Sequence, residues 1–226
     1  KFELKQFVTM AMVHPKVEGK NPVYKLSYFD MRGRAEGARL LFHYAGVPFE
    51  DIRITKDQWP SLKPKTPFGQ LPILEIDGYI LAQSASIYRF LGKQFKMLPE
   101  CPYEEAIADS VYEAFVDFQT KIMKYIKVLG GFEQGDKDKL EKETLMPACE
   151  TFFTALTKFL EKTHGEHIVG KTPTWQDIVI GDKLKKLEEH CSHVFDKFPL
   201  VKKFADKVYE LPQLQSYLNS RPNSVI

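Results

Sequence analysis

Cysteine is scarce in this chain: three in 226 residues, at Cys101, Cys149 and Cys191. They are too few and too far apart for a disulfide framework or a C-x-x-C motif. An excess of charge of either sign is lacking too. Lys and Arg number 32 against 30 Asp and Glu, and the formal net charge of +2 gives no electrostatic ground for a nucleic-acid or anionic-membrane partner. No apolar run approaches the roughly 20 residues a membrane helix needs; Phe7-Val8-Thr9-Met10-Ala11-Met12-Val13 is interrupted by Thr9 and followed by His14-Pro15. There is no G-x-x-x-x-G-K-[ST] phosphate loop, no G-x-G-x-x-G fingerprint and no G-x-S-x-G elbow. Asn219-Ser220-Arg221 and Asn223-Ser224-Val225 both fail as glycosylation sequons at the third position.

What is present is ordinary for a soluble globular chain: 43% hydrophobic and 27% charged residues. The length suits one large domain or two of roughly 100 residues. The chain starts at Lys1, and residues 1–22 precede the first convincing strand. A missing Met with a non-domain lead reads as a mature end left by a cleaved secretory signal, so the expectation is a secreted protein with an N-terminal extension, the alternative being a cytoplasmic one.

Tyr24 to Phe29 alternates as a strand, with Leu26 and Tyr28 on one face and Lys25 and Ser27 on the other. Ala35, Ala38, Leu41, Phe42 and Ala45 recur at helical spacing, and Gly46 with Val47-Pro48 is a stop signal. Phe49 to Ile54 is a second strand. The proline-rich run Trp59 to Pro67 reads as a loop. Leu71 to Ile76 and Tyr79 to Ala82 read as strands joined by an Asp77-Gly78 hairpin turn, with Pro72 a candidate for a cis bond. Ser84 can cap the next helix. This β-α-β, then β-β-α order predicts a thioredoxin-like domain over 23–97. From Pro102 the pattern is helical only, in long stretches such as Tyr103–Lys127 and Lys137–Lys162, so 98–226 is predicted to be an all-α domain. Thr174-Trp175-Gln176-Asp177 reads as a structural capping box.

Tyr28 is the lead candidate for chemistry. It ends a strand just before a helix start, where its hydroxyl can donate to a bound anion. If that anion is a small thiolate, the tyrosine answers a real need, because an unperturbed thiol with a pKa of about 8.5 is mostly protonated at neutral pH. Lowering that pKa by about two units takes roughly 2.7 kcal/mol, and a charge-assisted hydrogen bond of ~1.5–3 kcal/mol supplies most of it.

The ordered set Tyr28-Phe29-Asp30-Met31-Arg32-Gly33-Arg34-Ala35-Glu36, Trp59-Pro60, Pro67-Phe68-Gly69-Gln70-Leu71-Pro72-Ile73-Leu74, Gln83-Ser84 and Thr174-Trp175-Gln176-Asp177 resembles the cytosolic-type glutathione transferases. Within them it is similar to the sigma class, which includes haematopoietic prostaglandin D synthase and invertebrate enzymes. The resemblance implies a homodimer with glutathione as co-substrate. Tyr28 would hold the thiolate with help from Arg34. Trp59 and Lys63 would hold the glycine end of glutathione, Leu71 before Pro72 would pair with its cysteinyl backbone beside Gln70, and Gln83 and Ser84 would take its γ-glutamyl end. Asp117 of the neighbouring subunit would meet the ligand's amino group. Small hydrophobic electrophiles would enter between the domains, near Phe29, Met31, Arg34 and Val116, and conversion of prostaglandin H to prostaglandin D is a second implied activity. The pattern departs from the vertebrate prostaglandin synthase at Val116, where that enzyme has an acidic residue, and at Lys124, where it has a tryptophan.

Other chemistries find less support. Dithiol exchange needs a cysteine on the first β-α loop, and the first cysteine is Cys101. His164-Gly165-Glu166-His167 and His190-Cys191-Ser192-His193 lack a full metal ligand set, so no metal is expected. The rival from another class is a non-catalytic sigma-class relative, either a carrier of apolar ligands or a structural protein of the lens-crystallin type.

Overall fold

The structure, a computed structural model, describes residues 22–222; the expected N-terminal extension, apart from Pro22, lies outside them. The described residues form two compact units. One combines the segment ending at Asp30 with Pro48–Ile87, and the other combines Met31–Val47 with the residues from Tyr88 onward.

The first unit holds a four-stranded mixed sheet of order β2-β1-β3-β4, made of β1 (Tyr24–Phe29), β2 (Glu50–Ile54), β3 (Ile73–Ile76) and β4 (Tyr79–Ala82). Burial alternates along β1, with Tyr24, Leu26 and Tyr28 inside, as period-2 patterning dictates. β1 pairs parallel to β2 and antiparallel to β3. Lys25 faces Glu75 across that second ladder at 3.3 Å, but both side chains are over a third exposed and such a pair adds little. Register is set instead by buried partners such as Leu26 and Leu74, since a one-residue slip would turn both to solvent. Asp77 and Gly78 have φ of 49° and 89°, the positive pair that a two-residue type I′ hairpin requires.

The second unit is helical. It contains α1 (Glu36–Ala45), α4 (Pro102–Leu129), α5 (Lys137–Leu140), α6 (Met146–Leu160), α7 (Trp175–His190), α8 (Pro199–Glu210) and α9 (Gln215–Ser220). α2 (Trp59–Leu62) lies in the first unit, and α3 (Ser84–Gln94) passes from the first into the second. α1 ends at Gly46, whose φ of 65° lets its N–H reach the His43 and Phe42 carbonyls. The core is aromatic: Phe118 stacks on Phe152 at 5.0 Å and Phe153 meets Phe195 at 4.9 Å, all four buried. A Cβ at Gly92 would fall 2.2 Å from Trp175 Cδ1, so α3 and α7 approach closely only because Gly92 has no side chain.

Two elements differ from the sequence expectation. The Trp59–Pro67 run is no simple loop: α2 is followed by a 3₁₀ turn at Lys63–Lys65. Pro60 and Pro64 each stand in a first turn, where a missing N–H costs nothing. The stretch from Lys137 is interrupted by a π turn at Glu141–Leu145, in which the Met146 N–H reaches the Glu141 carbonyl. Pro147 follows at once; it has no N–H to donate, and its ring would crowd the carbonyl four residues back.

Candidate functional site

The sheet register gathers the predicted residues of the first unit. Ser27 is the partner of Ile73, and Ile73 of Ala82. One or two residues past those pairs, Tyr28-Phe29, Leu71-Pro72 and Gln83-Ser84 leave the same end of three adjacent strands. The Leu71–Pro72 peptide bond is cis. Sequence spacing alone does not bring these six residues together; antiparallel pairing does.

Phe29, Trp59, Lys63 and Gln70 belong to the same unit. Tyr28 is 8% exposed, and its ring meets Phe29 edge-on at 5.6 Å. Phe29 in turn meets Trp59 edge-on at 5.5 Å. Trp59 opens α2, and the Lys63 N–H closes that turn on the Trp59 carbonyl, which puts the two one helical turn apart. Lys63 is exposed, and its stem runs beside Gly69, where a Cβ would lie 3.5 Å from Lys63 Cε. The Gln83 amide points its Nε2 at Gln70 Oε1 at 3.5 Å, the outer limit of a hydrogen bond.

Gln83 itself has a φ of 71°, a left-handed conformation that costs a non-glycine residue free energy and concentrates at functional sites. Its carbonyl accepts the Ile87 N–H at 2.9 Å, and α3 begins at Ser84. Gln83 is therefore the cap and Ser84 the first helical residue, which corrects the expectation that Ser84 caps the helix. The consequence is chemical. The N–H groups of a helix's first turn have no partner inside the helix, and the Ser84 hydroxyl stands among them, a combination suited to a carboxylate.

Met31, Arg34, Val116 and Asp117 belong to the helical unit. Arg34 lies in a 3₁₀ turn at Gly33–Ala35 and is exposed. On α4, Asp117 is exposed and Val116 half-buried, and Lys124 is exposed further along.

Other candidate groups are committed to structure. Asp177 is buried and accepts from the Thr174 N–H at 2.7 Å, the Thr174 hydroxyl at 2.8 Å and the Ile168 N–H at 2.8 Å, while its own N–H reaches Thr174 Oγ1 at 3.4 Å. The capping box is closed, as its spacing predicts. His193 Nε2 lies 3.0 Å from Glu141 Oε1. Cys191 Sγ contacts the Tyr125 hydroxyl at 2.8 Å. Burial, with Cys191 adding to it, pushes the Cys149 thiol up to about 12, so this cysteine is not a nucleophile at neutral pH.

One constellation escaped sequence reading. Glu36, Arg39, Asp182 and Arg221 are buried together. Arg221 Nη1 lies 2.7 Å from Glu36 Oε1 and 3.1 Å from Asp182 Oδ1, and Arg39 Nη1 lies 3.1 Å from Glu36 Oε2. Burial would raise the Asp182 carboxyl, but Lys183 and Arg221 hold it below its ordinary value. Only the Glu36–Arg39 step has a local signal, the i,i+3 spacing.

A mixed thioredoxin-like sheet whose strand ends gather a tyrosine, a cis-proline and an open helix start, followed by an all-α region, defines a class of small-thiol-binding enzymes. Comparison with known proteins narrows the class. Residues 24–93 match the family model for the glutathione S-transferase N-terminal domain, and residues 116–221 the model for its C-terminal domain. Glutathione S-transferase 1 of Ascaris suum is 49% identical over 203 residues, 90% of this chain and 98% of the relative. A solved structure of a monomeric glutathione S-transferase from Necator americanus superposes with a TM-score of 0.87 at 41% identity, over 90% of this chain and 100% of that one. The prostaglandin synthase D structure of Nilaparvata lugens gives 0.79 at 33%, over 89% and 100%. The chain belongs to the glutathione S-transferase family, and glutathione is its co-substrate.

Proposed function

We propose that this glutathione transferase is of the sigma type and that the Tyr28 hydroxyl donates to the glutathione sulfur, stabilising the thiolate that attacks the electrophile. Arg34 adds positive charge to that thiolate. The peptide is held by Trp59 and Lys63 at its glycine end, by the backbone of Leu71 before cis Pro72 with Gln70 alongside, and by Gln83 and Ser84 at its γ-glutamyl carboxylate. The observation that carries this reading is the convergence of Tyr28, Leu71-Pro72 and Gln83-Ser84 at one end of three strands. Such a row suits one extended peptide, with a hydroxyl for its thiolate, a β-type pairing edge for its backbone and a helix start for its carboxylate.

The electrophile is a small hydrophobic molecule contacted by Phe29, Met31, Arg34 and Val116. The protein acts as a homodimer in which Asp117 of one copy meets the amino group of glutathione bound to the other. The Nilaparvata lugens neighbour supports a second activity, glutathione-dependent isomerisation of prostaglandin H to prostaglandin D.

The test is Tyr28→Phe with a generic aromatic electrophile. Loss of one charge-assisted hydrogen bond, ~1.5–3 kcal/mol, lowers kcat at neutral pH by about 10- to 150-fold with glutathione affinity nearly unchanged. Equal activity of the two proteins would remove Tyr28 from the mechanism. Equal inactivity with retained binding of apolar ligands would favour the carrier. A direct assay of prostaglandin H turnover in the presence and absence of glutathione decides the isomerase activity.

A further inference from the structure

Four consecutive carbonyls, those of Met31, Arg32, Gly33 and Arg34, each accept a hydrogen bond from a side chain of the helical unit. Arg39 Nη1 donates to the Met31 carbonyl at 2.9 Å and to that of Arg32 at 3.3 Å. Lys183 Nζ donates to Gly33 at 2.8 Å, and the Tyr88 hydroxyl to Arg34. The Arg32 carbonyl also takes the Glu36 N–H at 3.0 Å. A short turn exposed to water would leave such carbonyls to solvent. Here they are clamped.

The donor on Gly33 is the least expected. Lys183 comes from α7, 150 residues away in sequence, and its side chain is only 19% exposed, 3.5 Å from Asp182. A lysine fixed on one carbonyl gives up rotamer freedom that surface lysines keep. Gly33 has a φ of 42°, a left-handed geometry that glycine adopts about as readily as the right-handed one, so its backbone conformation is only weakly fixed by the residue itself. The clamp is continuous with the buried charges: Arg39 with Glu36, Glu36 with Arg221, and Arg221 with Asp182.

We infer that Lys183 is a positioning residue for Arg34, holding the Gly33 carbonyl so that the turn bearing the Arg34 guanidinium keeps one orientation through turnover. This rests on the reading of Arg34 as the thiolate's electrostatic partner. A charge helps a developing or bound anion most when it needs no reorganisation to act, and the supporting contacts of a site residue supply that order. Lys183 and Tyr88 hold two consecutive carbonyls of Arg34's turn, those of Gly33 and of Arg34 itself.

The experiment uses the full chain and follows ionisation of enzyme-bound glutathione by ultraviolet difference absorption against pH, together with kcat and KM for glutathione. Lys183→Met raises the pKa of the bound thiol by about 0.5–1 unit, so that kcat below that pKa falls roughly three- to tenfold while KM for glutathione changes less than about twofold. Lys183→Arg restores the wild-type profile. Tyr88→Phe, which keeps the buried ring and removes only the hydroxyl, shifts the ionisation in the same direction and serves if the lysine variants fold poorly. Arg34→Gln shifts it furthest. If Lys183→Met and Tyr88→Phe leave the ionisation at the wild-type position while Arg34→Gln raises it, Lys183 is structural only and the inference falls. If Arg34→Gln itself leaves it in place, the Arg34 role falls first and that of Lys183 with it.

Discussion

Two helices start on polar residues that look alike in sequence, and the molecule uses them in opposite ways. At α7, Thr174 and Asp177 satisfy one another and the Ile168 N–H inside a buried setting. At α3, Gln83 adopts a strained left-handed backbone, Ser84 becomes the first helical residue, and the Gln70 and Gln83 side chains beside it stay exposed. One start is closed and spends its hydrogen-bonding capacity on the fold. The other has no such box, and it is the start proposed above to take the γ-glutamyl carboxylate. A helix N-terminus is thus informative about function only through what already occupies its donors.

The contrast can be broken most forcefully at the closed end. Asp177→Ala strands three buried donors and leaves a void, and about 3–5 kcal/mol of stability is lost in denaturant unfolding. A loss under ~1 kcal/mol would mean that the closed start contributes no more than an open one. At the open end the effect moves to the ligand. Ser84→Ala weakens glutathione binding by ~1–2 kcal/mol, about 5- to 30-fold by calorimetry, with Tm within about 2 °C of wild type. A fall in Tm at unchanged affinity would make the two helix starts alike.

A smaller effect sharpens the same distinction between buried, self-satisfied charge and open charge. The Asp182 carboxyl is held below its ordinary value of 3.8 because Lys183 and Arg221 outweigh its burial. A carboxylate with a depressed folded-state pKa stabilises the fold in full above its unfolded value, and that contribution fades as pH falls through the folded value. The Tm advantage of wild type over Asp182→Asn is therefore present at pH 6 and closes progressively below about pH 4. An advantage that persists unchanged to pH 2.5, or is already gone at pH 6, would contradict this assignment.

Much of the frame was legible along the chain. Alternation marked β1, the Asp77-Gly78 dipeptide marked the hairpin, Gly46 marked the end of α1, and Thr174 with Asp177 marked the start of α7, because each is a local rule acting over two to five residues. Pro72 was a visible candidate for the cis bond observed. The errors were local too. The two prolines near Trp59 read as helix breakers, yet each sits in a first turn where proline is tolerated. Pro147 lies inside a pattern that reads as continuous helix, and there it accompanies a π turn. Ser84 suggests a cap because Ser is a good one, while the strained conformation of Gln83 has no composition signal.

The family and its co-substrate were readable from ordered motifs, since these report backbone geometry that short segments impose on themselves. Only the tertiary structure decided that Tyr28, Leu71-Pro72 and Gln83-Ser84 leave one sheet end together, that Arg221 meets both Glu36 and Asp182, and that Lys183 reaches Gly33. Those are pairings between segments tens to more than a hundred residues apart. Strand register and helix packing select them from many alternatives of equal local propensity, and no spacing in the sequence records that selection.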